Sequence, residues 1–246
     1  MHPYRARFAG QIIAEFLPSV RPSRRVVILC GGLPSQPPRE EMLRFFSRRG
    51  FWVFAPRYRG TWESDGTFLA RSPHLDVVDV INQLPRGFTE IWGGRTFRLR
   101  RPTVFLIGAS FGGAAVVLAS KHPLVKRVIA FSPVVDWRRD SATEPLAWLA
   151  GVIKQSFGAA YRFREQDWRK LAGGHFYSPA AHAALVAAKK IVIYHAPDDD
   201  VVPLAPPEAF CRRTGAKLKI LRRGGHLSLS FAMQPSRWRE IRKLLR

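Results

Sequence analysis

The chain alternates short apolar runs with amphipathic stretches, and the two periods mark two kinds of element. Phe8–Glu15 alternates apolar and polar residues and predicts an edge strand in an opening antiparallel pair. Arg25–Cys30 (RVVILC) is a continuous apolar run leading into Gly31-Gly32, the pattern of a strand covered on both faces. Pro38–Arg49 starts with Pro and acids and ends with Arg before Gly50, which predicts a helix. Phe51–Ala55 follows as a strand and Pro73–Leu84 as a helix, with Leu75, Val77, Val78, Val80, Ile81 and Leu84 as its apolar positions. Thr103–Ile107 predicts a central strand, and Phe111–Lys121 an Ala- and Val-rich helix packed on a sheet. Val125–Phe131, Ile191–His195 and Lys217–Leu221 predict further strands, and Ser236–Arg246 a closing basic amphipathic helix. Strands alternating with helices imply right-handed crossovers and a mostly parallel sheet flanked by helices, an α/β fold.

The alternation lapses between Asp136 and Lys190, a stretch that holds Trp137, Trp148, Trp168, Phe157, Tyr161, Phe163, Phe176 and Tyr177. Residues 136–178 are expected to form a helical cap insertion, with Pro179–Lys189 returning to the core. Such an insertion lies over the strand ends, where a lid or substrate pocket belongs. The alternative is an ordinary aromatic packing element. With 246 residues, 46% of them hydrophobic, the chain suffices for one buried core, so residues 1–246 are read as a single domain.

Composition adds three constraints. No run of 18 apolar residues exists and the first ten residues lack an apolar core, so a cytoplasmic protein without membrane attachment is expected. Cys30 and Cys211 are too few for a disulfide framework or a metal site and read as buried thiols. The net charge of +22 would suit nucleic acid, acidic lipid or anionic substrates. The basic residues, however, are spread from Arg21–Arg25 through Arg48–Arg59, Arg98–Arg101, Arg138–Arg139 and Arg212–Arg213 to Arg237–Arg246. A dispersed arginine bias is the plainer reading, and no nucleic-acid partner is expected.

The candidate chemistry begins with Gly108-Ala109-Ser110-Phe111-Gly112-Gly113, which contains Gly-x-Ser-x-Gly. The serine follows an apolar strand and opens an Ala-rich helix, a junction that holds Oγ out at the positive end of the helix. A serine hydroxyl needs an adjacent base, and in this order the base comes late, after an acid. His226, in a Gly224-Gly225-His226 loop beyond the strand Lys217–Leu221, fits that place. His195 ends a strand and reads as structural or as a support for the acid. The acid should end the preceding strand, where Asp198, Asp199 and Asp200 all qualify; Asp136 is an outside candidate. Two backbone N–H groups should stabilise a developing oxyanion, that of Phe111 and one from Gly31-Gly32-Leu33-Pro34, with Leu33 preferred to Gly32. Trp62, Trp137 and Trp148 are the expected substrate-contacting side chains. No metal or organic cofactor is required.

With these pieces in order, the chain resembles the α/β-hydrolase superfamily, in particular small hydrolases related to prolyl-oligopeptidase-like catalytic domains and to dienelactone-hydrolase-like and feruloyl-type esterases. The resemblance rests on Gly31–Pro34, on Pro56-Arg57-Tyr58-Arg59-Gly60-Thr61-Trp62-Glu63-Ser64, on Gly108–Gly113, on His195–Pro203 and on Gly224–His226. It implies a mostly parallel sheet flanked by helices, with a small helical lid before the last two strands. It places the triad acid on Asp199 and implies an acyl-enzyme route with Ser110 attacking while His226 takes its proton. The sequence departs from the family pattern at Gly31, where a histidine is usual, and in its run of three aspartates. No propeller precedes the domain, so the gating of full-length oligopeptidases is not expected.

Three function classes follow. The first is an esterase for small-molecule carboxylic esters, its oligomeric state open and a homodimer the candidate assembly. The second is a small aminopeptidase or acylaminoacyl peptidase, for which Glu63 or Asp65 would hold the substrate amine. The third is a non-catalytic basic binding protein on the same fold, whose nucleic-acid affinity would fall steeply with salt.

Overall fold

A computed structural model describes residues 2–138, 141 and 143–246. An eight-stranded sheet runs through the molecule in the order β1 (Tyr4–Phe8), β2 (Ile12–Leu17), β4 (Trp52–Pro56), β3 (Arg25–Cys30), β7 (Thr103–Ala109), β8 (Val125–Phe131), β9 (Ile191–His195), β10 (Lys217–Ile220). β5 (Phe88–Thr89) and β6 (Thr96–Phe97) form a separate short antiparallel pair. From β4 to β10 all pairings are parallel, and β1 and β2 add an antiparallel edge. The opening strand expected over Phe8–Glu15 instead straddles a hairpin: Ala9 and Gly10, at φ 46° and 71°, turn the chain between β1 and β2. An apolar–polar alternation that continues across a tight turn conceals the turn itself.

Alternation of side chains across the sheet builds two cores. Val26, Ile28, Val104, Leu106, Val128, Ala130 and Ile193 face one layer with Val77, Val80 and Ile81 of α2 (His74–Gln83) and Val116 of α3 (Phe111–Leu118). Val27, Leu29, Phe105, Ile107, Ile129 and Val192 face the other with Leu43 and Phe46 of α1 (Glu40–Ser47) and Ile241 of α7 (Pro235–Leu244). Helices on both faces explain why the central strands read as unbroken apolar runs.

The insertion between β8 and β9 carries α4 (Leu146–Phe157) and α5 (Glu165–Arg169). Pro179–Lys189 re-enters the core through short 3₁₀ turns, with Val186 buried. The Arg139 of the Arg138–Arg139 pair lies outside the described residues. After β9 the chain forms a further helix, α6 (Ala205–Thr214), beyond those the apolar pattern predicts. Its signals are nevertheless local: Pro206 and Pro207 in the first turn, Arg212 and Arg213 in the last, and Gly215 at φ 78° closing it. No helix among the described residues is long and apolar enough to cross a membrane.

The strand order fixes where a site can form. β3 lies between β4 and β7, so the chain leaves β3 toward one side and later returns to its other side. The loops after β3 and β7 therefore diverge, and the crevice at their carboxyl ends is the ligand position of such sheets.

Candidate active site

Ser110 sits in that crevice, at the turn from β7 into α3. Its backbone is at φ 52°, ψ −119°, a region that non-glycine residues avoid. The surrounding glycines make the turn possible by removing atoms. A Cβ on Gly112 would lie 2.2 Å from the carbonyl oxygen of Cys30 and 2.4 Å from that of Gly31. A Cβ on Gly108 would lie 2.3 Å from the Gly112 carbonyl oxygen, and one on Gly113 2.6 Å from Cβ of Pro133. The helix thus begins in backbone contact with the end of β3, and Gly32 sits against Ser110 itself, where a Cβ would stand 3.3 Å from that of the serine. The loop Gly31–Pro34, which carries Leu33, therefore lies against the start of α3, which opens at Phe111. Both residues are buried, and among the described residues neither N–H is engaged in a hydrogen bond.

Asp199 and His226 meet across the loops that follow β9 and β10. His226 Nδ1 lies 3.0 and 3.1 Å from the two carboxylate oxygens of Asp199. An ionised carboxylate only accepts, so Nδ1 carries the proton and donates, which leaves Nε2 with its lone pair. Burial alone would raise the Asp199 pKa; the hydrogen bonds from His226, Ser132 and the Val202 amide outweigh it and hold the carboxyl below its ordinary range. Asp198 instead caps the neighbouring turn, accepting the amides of Gly224 at 3.0 Å and Gly225 at 3.1 Å. Asp200 is exposed, and Asp136 is ion-paired with Arg138. Ser110 and His226 line one cavity, with no direct hydrogen bond between them.

Two supports of this arrangement escape sequence reasoning. The buried Ser132 follows β8 at φ 42°; its hydroxyl accepts the Leu227 amide at 3.1 Å and helps to hold the Asp199 carboxyl below its ordinary range. Because the amide can only donate, the hydroxyl keeps its own proton for an acceptor such as Asp199. One side chain thus ties the acid to the backbone next to His226. A serine just past a strand carries no signal of this kind in a single sequence. Tyr161, in the insertion, clamps the loop after β3. Its hydroxyl accepts the Ser35 amide at 2.9 Å and lies 3.1 Å from the Ser35 carbonyl oxygen, to which Trp62 Nε1 also donates at 3.0 Å.

His195 is fully buried behind the acid. Its Nε2 lies 2.8 Å from the Val202 carbonyl oxygen and 3.4 Å from Asp199. Burial holds its pKa below the ordinary value, against the pull of Val202 and Asp199 in the other direction. The imidazole is therefore neutral at pH 7 and donates from Nε2.

Two cavities open on Ser110. A groove of about 790 Å³ is lined by Gly32, Leu33, Arg57, Trp62, Tyr161 and His226 among others. A slot of about 50 Å³ is lined by Leu33, Phe111, Val134, Trp137 and Leu149. Of the tryptophans expected to contact substrate, Trp62 borders the groove and Trp137 the slot. Trp148 does neither: it lies on the outer face of α4 with 51% of its surface exposed. Helical periodicity explains the difference, since Leu146 and Leu149 take the inward positions. Glu63 is ion-paired with Arg5 and Arg57, and Asp65 with Arg7. Among the described residues no group of three or more His, Cys, Asp and Glu side chains is arranged to hold a metal ion.

Residues 26–241 match the profile of the alpha/beta hydrolase family, and the chain belongs to that family. Among solved structures, an esterase of Pyrococcus furiosus superposes with a TM-score of 0.69 at 16% identity, covering 99% of this chain and 89% of the esterase. Est1E from Butyrivibrio proteoclasticus, solved with ferulic acid bound, gives 0.66 at 14% identity, covering 98% of this chain and 99% of Est1E. The acylaminoacyl peptidase of Pyrococcus horikoshii gives 0.62 at 17% identity; the match covers 98% of this chain but only 39% of the peptidase. At these identities the likeness is one of fold. A search of the curated proteins finds no match.

Proposed function

We propose that the protein is a serine hydrolase that cleaves carboxylic esters through an acyl-enzyme. The observation that carries this reading is the hydrogen-bonded pair Asp199–His226 on the same cavity as Ser110, itself held at a strained strand-to-helix turn. Enzymes without substrate often show such contacts long and tighten them on binding, so the missing Oγ–Nε2 hydrogen bond does not bar Ser110 from this role. Ser110 Oγ attacks the ester carbonyl as its proton passes to Nε2, and Asp199 stabilises the resulting imidazolium. The Phe111 and Leu33 amides receive the oxyanion. His226 then gives the proton to the departing alkoxide as the carbon–oxygen bond breaks. A water, deprotonated by His226, attacks the acyl-enzyme; the carbon–Oγ bond breaks, His226 returns the proton to Ser110 Oγ, and the carboxylic acid leaves.

Amide hydrolysis is the second reading, because Glu144 lines both cavities and its carboxylate has no partner among the described residues. Glu63 and Asp65, the acids expected to hold a substrate amine, are already paired with arginines, which supports esters over peptides. The test is hydrolysis of p-nitrophenyl butyrate beside an aminoacyl-naphthylamide panel, each against Ser110→Ala. Turnover of the ester alone, abolished in the variant, is the expected result. Turnover of the naphthylamides instead would install the peptidase reading, and ester cleavage undiminished in Ser110→Ala would overturn both.

A further inference from the structure

The two cavities that meet at Ser110 differ in size and lining, and the position of His226 assigns them. The general acid must touch the leaving-group oxygen, so the leaving group lies on the side of His226. His226, Leu227 and Ser228 line the wide groove and not the slot. The acyl chain is left with the slot. From this juxtaposition we infer that the enzyme is selective for short acyl groups, acetyl to butyryl, carried on bulky polar alcohols; the inference rests on the ester-hydrolase reading above.

The slot sets the acyl length. An apolar cavity of about 150 Å³ holds a benzene ring, or roughly 25 Å³ per heavy atom. About 50 Å³ therefore takes about two carbons beyond the carbonyl, three with small adjustments. Its walls resist expansion: Val135, Trp137, Leu149 and Val202 are all buried. Trp137 is fixed by its Nε1 donating to the Tyr177 carbonyl at 2.8 Å and by packing on Phe111. Glu144 in the slot lining would repel an acyl chain ending in a carboxylate.

The groove imposes the opposite preference. Its volume of about 790 Å³ lies within the range of whole small-molecule sites, about 300–1,000 Å³. Gln36, Arg39, Glu41, Ser228 and Ser230 supply hydrogen-bonding groups along it, and Trp62 adds aromatic surface. A small alcohol would leave most of this surface unused.

The test measures kcat/KM for p-nitrophenyl acetate, butyrate, hexanoate and octanoate, and for ethyl acetate against glucose pentaacetate. The expected result is a maximum at acetate or butyrate, a fall of at least tenfold by octanoate, and glucose pentaacetate at least tenfold better than ethyl acetate. Leu149→Ala should move the maximum toward hexanoate by removing about three carbons from the slot wall. Should that variant not fold, Val134→Ala, on a loop, makes the same test. Octanoate as the best substrate, or a chain-length profile unmoved by whichever of these variants folds, overturns the inference. Parallel labelling of Ser110 by a fluorophosphonate separates the failures. Labelling with the wrong chain-length preference refutes the slot alone, whereas no labelling and no turnover refutes the serine-hydrolase reading beneath it.

Discussion

Replacing Ser132 by alanine isolates the contribution of a residue that touches neither cavity. The substitution removes a hydroxyl that favours the ionised form of Asp199 and leaves the buried Leu227 amide without an acceptor. A bond to a charged group contributes about 1.5–3 kcal/mol, and an orphaned buried N–H costs about 1–3 kcal/mol. Since both effects involve one hydroxyl and are not additive, a loss near 3 kcal/mol is expected. For a chain of this size that lowers Tm by roughly 6–12 °C. The kinetic effect follows from looser placement of His226: kcat should fall about tenfold, or about 1.4 kcal/mol in the barrier, with KM little changed. The pH dependence supplies a signature that a packing defect would not show. Asp199 has a folded pKa held below its unfolded value, so its stabilisation is present above about pH 3.9 and is lost as pH falls through the folded value. Losing Ser132 raises the folded value and shrinks that contribution. The Tm gap between wild type and variant should therefore be widest at pH 7 and narrow toward pH 3. Calorimetry and p-nitrophenyl butyrate kinetics read both quantities. A variant with lower Tm but wild-type kcat at pH 7 would show that Ser132 does not position the histidine.

Three further outcomes follow. Gly112→Ala forces a Cβ to within 2.2 Å of the Cys30 carbonyl, so backbone must move by about 1 Å; a loss of about 1–3 kcal/mol in stability and about 100-fold in kcat is expected, and wild-type kinetics would refute the close approach. Asp199→Asn should lower kcat by about 10⁴ through the wrong imidazole tautomer, while exposed Asp200→Asn should leave it intact; the reverse ranking would move the acid along the run of aspartates. Burial pushes the Cys30 thiol up to about 12 and Cys211 to about 11, so native protein should keep full activity in iodoacetamide at pH 7.5 and take up label only when unfolded; rapid inactivation would contradict this.

Much of the framework was legible because it rests on local rules. Val125–Phe131 and Ile191–His195 emerge at their expected bounds, since a strand covered on both faces has no polar face to blur its ends. The Ser110 turn was visible because backbone contact between α3 and β3 admits only glycine at 112. Residues that act through tertiary contact were not legible. Ser132 is one serine among many until the loops after β9 and β10 close over it, and Tyr161 reaches Ser35 across an interval of 126 residues. Trp148 differs from its expected place because aromatic richness in the insertion says nothing about which helical face turns inward.

The central claim is that Ser110, activated through His226 and Asp199, is the nucleophile. It is tested most directly by reacting the native protein with a fluorophosphonate and mapping the modified peptide, with His226→Ala alongside. A single adduct on Ser110, formed rapidly in wild type and at least 100-fold more slowly in the variant, is the result expected. An adduct on another residue, or labelling of Ser110 at the same rate without the imidazole, would contradict the account.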